Sequence, residues 1–183
     1  MKPYFLAFLL LTAFSIPGHS GVTVTSNREI STPLDSISSL PSMENLMESI
    51  ETTMGFTDVF EISSADVNNM EARLVHKHKK ILYNPEFVNW IDRCTGNKWA
   101  IVALIAHEMG HHLLGHTSNN EGSRPATELE ADEFAGYVLR RMGATLSQSQ
   151  QVMLVIASPQ ASKTHPGRLD RMMAIRKGWE NAY

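Results

Sequence analysis

From about Lys98 to Gly115 the chain reads as a helix that is apolar on nearly every side, with Trp99, Ile101, Val102, Leu104, Ile105, Leu113 and Leu114 spread around it. A helix without a polar face belongs in the middle of a domain, and no other stretch constrains the fold as strongly. Near its end the same helix carries His107, Glu108 and His111 in a His-Glu-x-x-His spacing. Histidines at this spacing lie about 40° apart on one face, one turn from each other, so both rings can reach a single ion. Glu108 sits beside them, and an unpaired carboxylate buried in a domain is costly. A zinc ion held by His107 and His111 removes that cost, because Glu108 then serves as general base toward a water at the metal.

A second group, Glu128-Leu129-Glu130-Ala131-Asp132, follows on the next helix, expected over Ala126 to Met142 and stopped by Gly143. Taking Glu128 as the origin, Ala131, Ala135, Val138, Leu139 and Met142 fall within roughly 80° of it, and Asp132 about 40° away. Glu130, Glu133, Arg140 and Arg141 point to the other side, where water can solvate them. Two carboxylates in an apolar stripe need a cation or donors. The spacing therefore gives Glu128 as third zinc ligand, with Asp132 accepting from a ligand histidine's free N–H. Other histidines compete for that place. The longer pattern HExxHxxGxxH needs glycine and histidine where Leu114 and Thr117 stand, and His116 falls one residue early. His112 lies about 140° from His107 and faces away. For both, packing beside the ligands or contacts with a loop are the expected roles.

Around these helices, Met43, Leu46, Met47, Ile50 and Met54 recur at helical spacing before Gly55. Val59 to Ile62, Ala72 to Val75 and Lys80 to Tyr83 read as short strands, the last two as a hairpin through His76 to Lys79. Pro85 to Asp92 starts a short helix. Asn119 to Pro125 reads as a polar loop. Leu146 to Ala157, with Ser147 as candidate cap, and Arg168 to Lys177 are the last two helices. A few strands followed by helices predict an α+β fold.

The N-terminus has its own logic. Lys2, an apolar run from Tyr4 to Ile16, and small residues ending at Ser20 form the pattern of a secretory signal peptide over 1–20. The rival, a retained anchor, needs ~20 apolar residues, and this run is shorter. Residues 21–42, rich in Ser and Thr, read as a flexible leader, and 43–183 as the folded domain. Lys2 is the only charged residue in the first twenty, so cleavage takes the net charge from −3 to −4. There is no basic stripe with interleaved aromatics, which argues against nucleic-acid binding. The His76-Lys77-His78-Lys79-Lys80 run is better read as a solvated strand edge or turn. Cys94 is the single cysteine, so no intrachain disulfide framework is possible.

Thr164-His165-Pro166 precedes the last helix, with Pro166 suited to a first helical turn and His165 free to face a cleft. A surface histidine is the plain alternative. Beside a metallohydrolase site, His165 would suit a donor to a developing oxyanion.

With these residues in place, the sequence resembles the HtpX-like and CAAX-prenyl-protease family of zinc metallopeptidases, in its soluble, exported branch. The resemblance runs through Lys80-Ile-Leu-Tyr-Asn-Pro85, Ile105-Ala-His-Glu-Met-Gly-His-His112, Glu128-Leu-Glu-Ala-Asp132, and Thr164-His-Pro166 with Arg171, over about residues 56–179. Membrane members of that family carry several transmembrane helices, and no such stretch follows residue 20 here. The resemblance implies a gluzincin-like zincin domain, with a small sheet on a mainly helical core. It implies one zinc per chain on His107, His111 and Glu128, with Glu108 catalytic. It implies that His165 and Arg171 approach the site, His165 either assisting the transition state or occluding the metal. It suggests that Ile81-Leu82-Tyr83 form an edge strand that aligns an extended peptide, as strand addition does generally.

The expectation is an exported zinc endopeptidase, periplasmic or secreted, acting on exported or misfolded envelope polypeptides, with an envelope protein as a further partner and no membrane span after signal cleavage. A quality-control module that holds clients with weak or latent proteolysis is the first rival. A purely structural zinc protein is the second, and it leaves Glu108 without a role.

Overall fold

In the computed structural model, which describes residues 39–118 and 124–183, the apolar stretch after Lys98 is a buried helix with a small sheet and other helices packed around it. The expected signal peptide at 1–20, nearly all of the leader at 21–42 and most of the 119–125 loop lie outside the described residues. In chain order the elements are α1 (Met43–Met54), β1 (Phe60–Ser64), β2 (Met70–Val75), β3 (His78–Tyr83), α2 (Pro85–Thr95), α3 (Trp99–Leu113), a short 3-10 turn (His116–Ser118), α4 (Pro125–Met142), α5 (Leu146–Ile156) and α6 (Arg168–Glu180). The fold is α+β, as the order of patterns predicted.

The central helix α3 buries thirteen of its fifteen residues, leaving only His111 and Leu113 partly exposed. Lys98 at its start supplies no side-chain cap, a loss of about 1 kcal/mol. Burial of Trp99, Ile101, Ile105 and Met109, each at most 1% exposed, is worth about 1.5–3 kcal/mol apiece and outweighs it. The neighbouring helices end where their chemistry dictates. The Ser42 hydroxyl accepts from Asn45 N at the start of α1, and Gly55 closes that helix in the left-handed region at φ 75°. Asn84 caps α2 with Pro85 in its first turn. In α5 the cap is Thr145, reciprocated by Gln148, rather than Ser147, because a capping box satisfies two orphan N–H groups at once. α6 begins after Pro166, with Gly167 as its N-cap, so Pro166 lies outside the first turn and His165 belongs to the irregular segment before the helix.

The sheet has the order β1-β3-β2, with β1 parallel to β3 and β2 antiparallel to it. His76 and Lys77 both take positive φ, 48° and 71°, forming a two-residue hairpin turn, so β3 starts earlier than its apolar pattern suggested. The edge-strand expectation for Ile81, Leu82 and Tyr83 is overturned, because β3 is the central strand and Ile81 is fully buried. Glu61 on β1 pairs with His78 and Lys80 on β3. β1 and β2 are the two sheet edges, and β2 is the one turned toward α3.

Helices α4 and α6 approach closely at two glycines. A Cβ at Gly136 would lie 2.0 Å from Ile175 O, and one at Gly178 would lie 1.7 Å from Glu133 O. Arg140, expected to be solvated, instead lays its guanidinium over the rings of Trp179 and Tyr183, 3.9 and 4.5 Å from their centroids. Among the described residues, no helix is long and apolar enough to cross a membrane.

Candidate metal centre

The last two turns of α3 deliver His107 and His111, and the first turns of α4 deliver Glu128 and Asp132. The α4–α6 contact then brings Arg171 against Asp132. The ring Nε2 atoms of His107 and His111 are 3.0 Å apart. Glu128 completes a triangle, with Oε2 3.4 Å from His107 Nε2 and Oε1 3.6 Å from His111 Nε2. Three donors about 2.0–2.1 Å from one tetrahedral ion lie ~3.3 Å apart, so the spacing suits a metal. His107, His111 and Glu128 are the group among the described residues able to hold one.

Proton positions sharpen that test. The Asp132 carboxylate accepts from His107 Nδ1 at 2.9 Å, which leaves the neutral ring's Nε2 as a lone pair facing the triangle. His111 Nδ1 lies 3.0 Å from His116 Nδ1, and His116 Nε2 lies 2.9 Å from Glu130 Oε2. A carboxylate only accepts, so in neutral rings the proton on His116 faces Glu130 and the one on His111 faces His116. The His111 Nε2 lone pair then also faces the triangle. Two lone pairs and a carboxylate at these distances repel unless a cation lies between them. Without a metal, that cation is a proton on His107. Burial opposes its charge, yet Asp132, Glu128 and Glu108 outweigh burial and hold the pKa up to about 10. Burial and the His107 charge push His111 down to about 4. The donor set therefore fits a metal ion.

Asp132, fully buried, is itself gripped by Arg171, whose Nε donates to Oδ2 and Nη2 to Oδ1, both at 2.7 Å. Nη2 also lies 3.8 Å from Glu128 Oε2. The inward phase expected of Glu128 and Asp132 is thus what the helix presents. His112 faces the sheet instead, with Nε2 donating to Lys80 O at 2.9 Å. His165 reaches the rim, 4.0 Å from Glu128 Oε2, with a half-exposed side chain and its Nδ1 held by Thr164 at 2.9 Å.

Glu108, also buried and lining the same cleft, accepts at its Oε2 from Ala72 N on β2 at 2.7 Å. Burial pushes its pKa up to about 7, against the lowering effects of His107 and of the Ala72 N–H. The Ala72 contact also fixes the orientation of β2. Asn69 O accepts from Asn84 N, and antiparallel pairing alternates, so the main chains of Met70, Ala72 and Leu74 face outward. They border a cleft of about 910 Å³ that runs past the triangle. Its lining includes the apolar side chains of Phe87 and Trp90 from α2, Leu104 from α3 and Ile156 from α5.

Sequence reasoning missed two parts of this arrangement. The β2 main chain has no side-chain signature. The His116–Glu130 contact arises because Gly115, at φ 80°, turns the chain back after α3 and returns His116 beside His111. Comparisons with known protein families, with curated proteins and with solved structures returned no match.

Proposed function

We propose that the chain is an exported zinc metalloendopeptidase with a zincin-like domain, of the HtpX-like and CAAX-prenyl-protease kind. The observation that carries this reading is the triangle of His107, His111 and Glu128 with the Glu108 carboxylate beside it and a cleft alongside. Two imidazoles and a carboxylate at tetrahedral spacing suit zinc among the common ions. When bound, zinc supplies a Lewis acid that activates water and polarises a carbonyl.

The chain's own groups would do the rest. The outward main-chain groups of Met70 and Leu74, with the Ala72 carbonyl, pair with an extended polypeptide while the Ala72 N–H stays with Glu108, taking the role first expected of Ile81, Leu82 and Tyr83. Glu108 takes a proton from the attacking water and passes it to the leaving amine as the C–N bond breaks. His165, at the cleft rim, donates to the oxygen that gains charge. Arg171 and Asp132 hold His107 in the tautomer that points its lone pair inward. The apolar side of the cleft favours exposed apolar side chains, such as those of misfolded exported proteins, and these are the proposed substrates.

The same cleft would serve a module that holds clients without cutting them, and one experiment separates the two. The mature chain is incubated with an unfolded polypeptide, then stripped with chelator and reloaded with zinc. The proposal expects cleavage, its loss on stripping and its return on reloading. Intact client at full zinc occupancy would contradict it.

A further inference from the structure

On the reading that the triangle holds a metal, we propose that His116 and Glu130 are positioning residues that hold His111 in its ligating tautomer. The two ligand histidines need the same thing, a proton fixed on Nδ1 so that the Nε2 lone pair faces the ion. His107 obtains it directly from Asp132. His111 Nδ1 instead lies 3.0 Å from a second imidazole nitrogen, His116 Nδ1. That nitrogen accepts only if the His116 proton sits on Nε2, and the Glu130 carboxylate at 2.9 Å fixes it there.

The chain of contacts therefore runs from Glu130 through His116 to His111 and ends at the metal-facing lone pair. It delivers to the second ligand, through one intervening ring, the anchoring that Asp132 gives the first. The surroundings agree with this role. The His116 side chain is 12% exposed and His111 14%, whereas Glu130 is 60% exposed and sits on the outer face of α4. The motif that supplies Glu128 and Asp132 on one face of the helix thus also supplies Glu130 on the other. The 3-10 turn after Gly115 brings His116 across to meet it.

The test uses the mature chain with zinc as the probe. Zinc affinity is measured by competition with a chelator for the wild type, His116→Leu, His116→Asn, Glu130→Ala and Glu130→Gln, and folding of each metal-free protein is followed by thermal unfolding. The proposal expects His116→Leu to weaken zinc binding about 10–100-fold. Asn, whose side-chain oxygen can accept from His111, should recover part of the loss, and Glu130→Gln should lose less than Glu130→Ala. Nitrogen-15 spectra of the zinc-loaded wild type should show protons on His111 Nδ1 and His116 Nε2. If His116→Leu does not fold, Glu130→Ala decides, because its side chain is exposed. Unchanged affinity in the folded variants, or a proton on His116 Nδ1, would overturn the proposal. Absence of zinc binding by the wild type would instead overturn the metal reading on which it rests.

Discussion

His107 and His111 offer the same atom to the same point, yet their surroundings set different costs for change. Asp132, fully buried, joins His107 to Arg171 by charge-assisted bonds, so deleting it strands a buried guanidinium as well as a ligand. Removing one partner of a buried pair typically costs about 3–5 kcal/mol. Asp132→Ala should therefore lower the stability of the metal-free protein by roughly that amount in denaturant unfolding, while Glu128→Ala should lower it less and abolish tight zinc binding. Equal losses of stability would show that Asp132 and Glu128 share one structural role. Both residues were legible in the sequence, because a carboxylate in an apolar helical stripe is anomalous without a partner. The link from Glu130 to His116 was not. Glu130 has the phase of a solvated residue, and only the turn at Gly115 brings a histidine to it.

At the scale of elements, α3 is the most legible part, since its all-round apolarity forces burial whatever its neighbours are. The order of the strands was less accessible. Periodicity located three strands and one hairpin, but the parallel pairing of β1 with β3 is not specified by any local pattern. Pairing with both β1 and β2 makes β3 central, and β2 is the edge whose Ala72 N–H meets Glu108. The contact of α4 with α6 was also hidden, because a glycine in a helical pattern reads as a weakness rather than as a docking point. Gly136 and Gly178 let the two backbones meet, and that meeting carries Arg171 to Asp132. Gly136→Ala should destabilise the protein by about 1–3 kcal/mol or more, because the new Cβ forces the helices apart. It should also weaken zinc binding through Arg171. A variant of wild-type stability, measured by denaturant unfolding, would contradict the close backbone approach.

For the whole molecule, β2, α2, α3, α4, α5 and α6 all contribute residues to a single cleft. The sheet edge supplies outward main chain, α3 and α4 supply the triangle of His107, His111 and Glu128, α6 braces it through Arg171, and α2 and α5 add apolar side chains. The apolar core runs along α3 from Trp99 to Met109 and is built from side chains that are not metal donors. The central claim is that Glu108 moves protons for peptide hydrolysis at a metal held by other residues. Its most direct test is one measurement on purified Glu108→Gln, reading zinc content and cleavage of an unfolded polypeptide from the same sample by mass spectrometry. The account predicts one zinc per chain and a loss of cleavage of at least about 100-fold relative to the wild type. Wild-type cleavage by the fully loaded Glu108→Gln protein would contradict it.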